Sequence, residues 1–412
     1  MGVCALILIS TAVFLTVLLL LVAILLFLRR KLLPSHKVKV VVNDENVLET
    51  NSGDSLLTIL SNNAVFLSSA CGGKATCGLC KCQIVQGGEE MLPTEEVFFK
   101  KKEKNEGMRL ACQVKVKDDI KIVVPESVFN AKKYEAAVLS NENIATFIKE
   151  LVIQLPQDVD FQFQAGQFIQ IYSPAGNIDF VQIEISQAYS SAWEKLRCLK
   201  MECDEENVRA YSMANYPAEG KIVKLNVRIA MPPFDTKNTQ FVDVNPGIVS
   251  SYLFSRKKGD KIEISGPYGE FLVKNTEKEM IFIGGGAGMA PLRSQIFDEI
   301  FTKKTKRKIS YYYGARSLKE AFYLDDFAKL QKKNANFSFE LALSEPLPED
   351  NWKGKTGFIH IVLLENYLKD HPEPEEIEYY ICGPKPMLNA TLHMLENLGV
   401  AENMIFYDDF GS

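Results

Sequence analysis

The sequence predicts a multi-domain chain: a single N-terminal transmembrane helix, a small α+β domain, an antiparallel β-barrel and a doubly wound α/β domain. Three observations predict it. Residues 5–28 hold no charged side chain. A cysteine- and glycine-rich loop follows a short run of strand and helix patterns and precedes another. Beyond it, a strand-rich stretch gives way near Met280 to alternating strands and helices. With 412 residues the chain is too long for one hydrophobic core. The divisions fall at 1–33, 34–128, 129–274 and 275–412.

The first segment reads ALILISTAVFLTVLLLLVAILLFL, 24 positions without a charge. As a helix it would be about 36 Å long, enough to cross a hydrocarbon core of about 30 Å with some tilt. A cleaved signal peptide would carry a basic start and a shorter apolar core. Here Arg29, Arg30 and Lys31 follow the apolar run, which leaves the rest of the chain in the cytoplasm. Cys4 precedes the run and reads as a small apolar residue.

The 47 basic and 52 acidic residues are well mixed, with a net charge of −5, which argues against a nucleic-acid partner. Nine cysteines in a cytoplasmic chain read as metal ligands and free thiols rather than disulfides. The four histidines, His36, His360, His371 and His393, are isolated, so no histidine metal site is expected.

In 34–128 a strand over Val38–Val42 turns at Asn43–Asn46 into a second strand at Val47–Leu48. Ser52-Gly53-Asp54 offers an N-cap for a helix burying Leu56, Leu57, Ile59 and Leu60. A strand at Lys81–Val85, a helix near Thr94–Lys104 and strands carrying Cys112 and Ile120–Val124 follow. Between the first helix and the third strand stands Ser69-Ala-Cys-Gly-Gly-Lys-Ala-Thr-Cys-Gly-Leu-Cys. Cys71, Cys77 and Cys80 are separated by five and two residues, and Cys112 follows after 31 more. Glycines let several backbone N–H groups and three thiolates converge, and three clustered thiolates plus a remote fourth are the ferredoxin way to hold a [2Fe–2S] centre. The plant-type run has four residues in the first gap, so this one looks like the adrenodoxin-type variant. Structural zinc is the alternative, although zinc sites usually come as two Cys-x-x-Cys or Cys/His pairs. Cys82 reads as a strand residue beside the cluster rather than a fifth ligand.

Strand alternation over Phe147–Leu155, Gln167–Tyr172, Ile222–Ile229 and Lys261–Ile264 suits a closed barrel. Residues 176–208 read as an insertion, and its Cys198 and Cys203 as buried or half-buried thiols. Arg209, Tyr211 and Ser212 lie on a short strand. They offer a donor fork for a pyrophosphate, a flat platform for an isoalloxazine and a hydroxyl for flavin N5. Gly247-Ile-Val249-Ser250 puts free N–H groups at a helix start, where a phosphate can bind. Either piece also occurs on ordinary strand surfaces. Together, 38 residues apart in a barrel, they resemble the ferredoxin–NADP⁺ reductase superfamily.

The last domain shows strands at Met280–Ile283, Lys308–Tyr313, Phe337–Leu343 and Glu378–Ile381. Helices are expected from Ala290, near Tyr323–Lys332, near Ile359–Leu368 and from Met387. Gly284, Gly285, Gly286, Ala287 and Gly288 open the first helix, with Pro291 in its first turn, as a pyrophosphate-binding loop would. In the superfamily a motif like Tyr313-Gly-Ala-Arg-Ser lies near the adenosine, and Cys382-Gly383-Pro384 lies beside the nicotinamide. The alternative for Cys382 is a buried strand-end thiol. Arg316 would suit a 2′-phosphate, but Ser344-Glu-Pro carries no basic cluster and favours NADH. The chain ends Phe406-Tyr-Asp-Asp-Phe-Gly-Ser. In the superfamily such an aromatic covers the flavin, which makes Phe410 the candidate, with Asp408 or Asp409 as a nearby polar group. A frayed tail is the alternative.

An anchor, a β-grasp [2Fe–2S] domain, an FAD barrel and an NAD domain in this order resemble the family of NADH-oxidising subunits of the bacterial Na⁺-translocating NADH:quinone oxidoreductases. The resemblance implies that NADH gives hydride to FAD. Single electrons then pass to the cluster on Cys71, Cys77, Cys80 and Cys112, and on to membrane subunits that reduce quinone and export Na⁺. It implies catalytic roles for Ser212, Cys382 and Phe410. Ala210, Val249 and the motif residues above would bind cofactors. The bacterial inner membrane would be the location, with lipid contact through 5–28. A single anchor without an intramembrane charge offers no ion path, so Na⁺ would cross in other subunits. One rival is a reductase feeding an oxygenase, which needs no anchor. Another is an anchored metal- or redox-sensing module without hydride transfer, and the paired flavin and nicotinamide motifs argue against it.

Overall fold

The computed structural model describes residues 11–22, 24, 36–69, 71–125, 128, 132–235, 237 and 239–408. Residues 11–22 and 24 are helical, with exposed side chains. No described helix is long and apolar enough to cross a membrane, and the remainder of the expected 5–28 span lies outside the described residues. The chain forms two compact units, Met1–Leu67 with Cys80–Pro125, and Ser68–Leu79 with Glu126–Ser412.

In the first unit β1 (Lys37–Val42) pairs antiparallel with β2 (Asn46–Asn51) through a turn in which Asn43 and Asp44 take positive φ. Asparagine and aspartate tolerate that conformation better than most residues. Val38, Val40 and Val42 alternate inward, and Leu56, Ile59 and Leu60 of α1 (Leu56–Asn62) are buried. The helix cap is Ser55, whose Oγ accepts from Thr58 N at 3.2 Å, one residue beyond the expected Ser52–Asp54. The expected helix over Thr94–Lys104 is two short ones, α2 (Pro93–Glu96) and α3 (Lys101–Asn105). Glu95 and Glu103 fold back onto the N–H groups of Leu92 and Lys100, so each turn is capped separately. With β3 (Lys81–Gln86), β4 (Met108–Leu110) and β5 (Ile120–Val123) the sheet order is β2-β1-β5-β3-β4, and β1 and β5 are parallel. Cys112 was expected on a strand but lies in the turn just after β4.

Glu95 holds this unit together. It is fully buried, and it accepts from Arg109 Nε at 2.9 Å, Arg109 Nη2 at 2.6 Å and Leu110 N at 2.9 Å.

In the second unit β6 (Lys132–Ala145), β7 (Ile148–Gln154) and β8 (Phe168–Ser173) come first. The hairpin strands β9 (Gly176–Asp179) and β10 (Lys200–Cys203) follow, then β11 (Asn207–Ser212), β12 (Ile222–Arg228) and β13 (Lys261–Tyr268). Six of these form a sheet in the order β11-β8-β13-β6-β7-β12. The Met213–Leu225 bridge and a 2.7 Å bond from Ala214 N to Lys224 O join its two ends into a barrel. Residues 176–208 carry β9, β10 and a short helix, α4 (Ser190–Trp193). Trp193 is fully buried, donates Nε1 to Thr146 O at 2.7 Å and stacks 5.5 Å from Phe254. Cys203 is buried as expected, whereas Cys198 is exposed.

The barrel carries α5 (Ile248–Ser255), and an α/β region follows. Its strands are β14 (Met280–Gly285), β15 (Ile309–Ala315), β16 (Phe337–Leu343), β17 (Lys355–Thr356), β18 (Glu378–Cys382) and β19 (Ile405–Asp408). All are parallel, in the order β17-β16-β15-β14-β18-β19. The helices are α6 (Met289–Phe297), α7 (Leu324–Lys333), α8 (Ile359–Asn366) and α9 (Lys385–Asn397). Alternation along β14 sends Phe282 to a core with Leu292 and Phe327, and Ile281 and Ile283 to one with Leu363 and Leu395. Both faces are covered, which explains why the strand reads as a continuous apolar run.

Replacing Glu95 by Ala strands the Arg109 guanidinium in the interior. The expected loss is about 3–5 kcal/mol, read as a lowered urea midpoint for the first unit. A loss under about 1 kcal/mol would mean that water reaches Arg109 freely.

Candidate active site

β11, the start of α5 and two glycine-rich turns of the α/β region open onto one cavity of about 570 Å³. From β11 it is lined by Arg209, Ala210, Tyr211 and Ser212, the four expected residues. Arg209 Nη1 donates to Val208 O at 2.7 Å. Burial pushes the Tyr211 phenol above its ordinary range, so it stays neutral. Ser212 is buried and donates Oγ to Asp408 Oδ2 at 3.1 Å, which brings the expected C-terminal carboxylate to the expected serine. Asp409 and Phe410 lie outside the described residues.

Gly247, Val249 and Ser250 line the same cavity. A Cβ on Gly247 would come within 2.6 Å of Ala230 Cβ, so only glycine fits there. The Ser250 hydroxyl accepts from Ala230 N at 3.1 Å and donates to Gly247 O at 3.0 Å. Its first duty is therefore to shape the turn. No side chain caps α5, which leaves the first-turn N–H groups open toward an anion.

Opposite, β14 runs into a turn over Gly286–Gly288 and then α6. Gly285, Ala287 and Gly288 line the cavity, as do Gly383 and Pro384 at the end of β18. A Cβ on Gly288 would collide with the Cys382 carbonyl, and one on Gly383 with Met387. The two turns thus touch backbone to backbone. Gly284 pairs in register with Cys382, and both are packed behind the wall rather than in it, whereas Gly286 is half-buried with open space around its α-carbon and does not line the cavity. Cys382 is fully buried.

Sequence reasoning missed the wall formed by Asn226, Arg228, Ile229 and Ala230, and also Lys385 and Pro386. The one available signal was a polar Asn inside the otherwise apolar Leu225–Val227 alternation. It also missed the clamp that joins the barrel to the α/β region. Arg293 on α6 is 3 % exposed and donates to Ala214 O at 2.8 Å and to both Glu219 oxygens at 3.0 Å. Beside it, Ser294 donates to Asn215 O at 2.7 Å, and Tyr323 donates its hydroxyl to Glu150 on β7.

In the loop at 68–79, Gly72, Gly73, Gly78 and Ala75 all take positive φ. Gly73 N donates to Ser69 Oγ at 3.1 Å. Cys77 Sγ donates to Cys71 Sγ at 3.4 Å, and this shared proton pulls the Cys71 thiol down while it pushes the Cys77 thiol up. Cys80 and Cys112 are buried in the first unit, and Ala111 N donates to Cys80 O at 2.8 Å. Among the described residues no three Cys, His or carboxylate side chains gather round one point. Cys82 is a buried residue of β3, and burial pushes its thiol up to about 12, as suits a packing residue.

Residues 40–117 match the 2Fe-2S iron-sulfur cluster binding domain family, 195–272 the oxidoreductase FAD-binding domain family and 282–393 the oxidoreductase NAD-binding domain family. The chain is 50 % identical over 408 residues to the F subunit of the Na(+)-translocating NADH-quinone reductase of Marinomonas sp., covering 98 % of both chains. It is 52 % identical over 393 residues to that of Pseudomonas aeruginosa, covering 95 % of both. Among solved structures it resembles the Amycolatopsis cytochrome P450 reductase GcoB (TM-score 0.64, 22 % identity, 90 % of this chain and 98 % of that one). It also resembles a ferredoxin reductase in carbazole 1,9a-dioxygenase (TM-score 0.60, 24 % identity, 91 % and 99 %). At these identities the structural likeness shows the fold.

Gly288→Ala should force the glycine turn away from β18. Nicotinamide affinity should fall by about tenfold or more, with the flavin still bound. Equilibrium titration with NAD⁺ checks it, and an unchanged constant would mean that the two turns part without consequence.

Proposed function

The chain belongs to the family of F subunits of the Na(+)-translocating NADH-quinone reductases, and from that premise we propose which of its residues do the work. Its place is the electron-input component of a multi-subunit, membrane-associated NADH-quinone reductase, with NADH as substrate and FAD and a [2Fe–2S] cluster as cofactors. A nicotinamide yields two electrons as hydride and an iron–sulfur centre accepts one, and bound FAD supplies the chemistry that joins the two.

The observation that carries the site assignment is the shared cavity. Arg209–Ser212, the Gly247 turn, the Gly285–Gly288 loop and Gly383-Pro384 come from four distant stretches of sequence, yet all open on it. Arg209 would hold the FAD pyrophosphate by its guanidinium, and the open N–H groups at Gly247–Val249 would hold its phosphate oxygens. Tyr211 gives the ring a flat apolar wall, and Ser212 presents a hydroxyl whose proton Asp408 can share. The Gly284–Gly288 loop and Gly383-Pro384 would receive NADH, with Cys382 behind them. Phe410 would cover the flavin until the nicotinamide arrives. Cys71, Cys77, Cys80 and Cys112 would hold the cluster, and the 3.4 Å approach of the Cys71 and Cys77 sulfurs fits a shared ligand loop.

The finer division is a proposal on the same footing: an anchor over 1–33, then modules over 34–128, 129–274 and 275–412. A single-pass anchor in the bacterial inner membrane, with lipid contact through 5–28 and the catalytic modules in the cytoplasm, rests on the uncharged run and on Arg29, Arg30 and Lys31 behind it. Glu345, whose N–H meets Arg316 O at 2.8 Å, sets an acidic residue beside Arg316 and favours NADH over NADPH.

A chain lacking residues 1–33 should be soluble, yellow-brown and able to reduce artificial acceptors with NADH. Equal or faster turnover with NADPH would overturn the nicotinamide assignment. Cys77→Ala should abolish the iron–sulfur spectrum yet leave FAD bound and its reduction by NADH intact, and quinone reduction in the assembled complex should stop. A cluster spectrum surviving that substitution would show the ligand set to be wrong.

A further inference from the structure

Asn226 stands on β12 in the cavity wall, on the barrel side, near Tyr211, Ser212 and Arg228. It is 5 % exposed, yet its Oδ1 has no hydrogen-bond partner among the described residues. An amide oxygen left unpaired in the interior costs about 1–3 kcal/mol. The other end of the same amide is tied, since Nδ2 donates to Tyr323 Oη at 2.7 Å.

The next partner fixes the sense of that bond. Tyr323 donates its hydroxyl proton to Glu150 Oε2, and an ionised carboxylate can only accept. With its one proton committed, Tyr323 Oη needs a donor on its other side. The Asn226 atom facing it must therefore be the NH₂, which leaves the carbonyl as the unpaired end. Tyr323 reaches this position from the N-cap of α7 with φ +59°, left-handed backbone that a bulky aromatic seldom adopts. Strain of that kind persists where the surroundings impose it and clusters at functional sites.

We infer that Asn226 is a flavin-positioning residue: its Oδ1 accepts a hydrogen bond from a ring N–H of the isoalloxazine, and Tyr323 holds the amide in the orientation that presents this acceptor. The inference rests on FAD occupying this cavity. The oxidised ring carries an N–H donor at N3, and the neighbours of Asn226 on the wall are the barrel residues assigned to the flavin. Because Tyr323 sits on α7, the α/β region that receives NADH helps to set the ring against which NADH must lie.

The test compares the FAD-loaded full chain with Asn226→Leu and Tyr323→Phe. Asn226→Leu keeps the branched shape and the number of side-chain heavy atoms, leaves Tyr323 donating to Glu150 and removes the acceptor. The expected result is about tenfold faster loss of FAD on dilution, read as recovered flavin fluorescence, together with shifted flavin absorption bands. Tyr323→Phe frees the amide to turn and should give a smaller shift of the same bands. A purely structural role would lower the melting temperature without moving the bands. Unchanged FAD retention and band positions in Asn226→Leu would overturn the inference. Should that variant not fold, unmoved bands in Tyr323→Phe would overturn it equally. A wild-type chain that takes up no FAD would instead refute the cavity assignment.

Discussion

The joint between barrel and α/β region depends on one buried cation. Arg293 spends its charge on Glu219 and on the Ala214 carbonyl, both from the stretch that follows β11 and closes the barrel. Its plane lies over Phe297 and Tyr323, 4.4 and 5.0 Å from their centroids, so the charged head is held between two faces as well as two acceptors. A guanidinium so enclosed cannot lose one partner without leaving a charge in the interior. The cavity lies along this same seam. Its two walls are held by this forked ion pair together with apolar packing, since Ala145 and Ile148 of the barrel share a core with Phe282 and Leu292.

Glycine sets the second constraint. The turn after β14 and the end of β18 meet at a separation that excludes a Cβ at Gly288, where it would lie 2.1 Å from the Cys382 carbonyl oxygen. The residue that keeps this stretch of the cavity wall smooth, Gly288, is also the one that lets two parallel strands finish side by side. Fold and binding surface have one cause here, which is why a glycine-rich loop at a strand end is informative in this position and weak elsewhere.

That distinction explains what could be read from the sequence. The cysteine loop, both glycine turns and the Arg209–Ser212 strand were legible because their residue types are themselves the constraint. The alternating helices and strands after Met280 were legible because both faces of that sheet are covered. The Thr94–Lys104 helix was misread because periodicity does not reveal that Glu95 and Glu103 each cap a separate turn. Arg293 and Tyr323 left no local trace, and Asn226 only its polarity in an apolar strand: the Tyr323–Glu150 bond spans 173 positions, and only the folded chain defines the partner. The family, by contrast, is carried by identity along almost the whole chain, including the stretch before the first strand. The likeness to oxygenase-type reductases reflects a shared scaffold.

The burial of Trp193 against Phe254 has an optical consequence. The chain holds only two tryptophans, Trp193 wedged against the barrel and Trp352 beside the α/β core. Each part of the larger unit therefore carries one native fluorophore. The first is sealed from water and the second is partly open to it. Their emission should differ in colour and in access to a dissolved quencher, so the melting of barrel and α/β region can be followed separately without any added label.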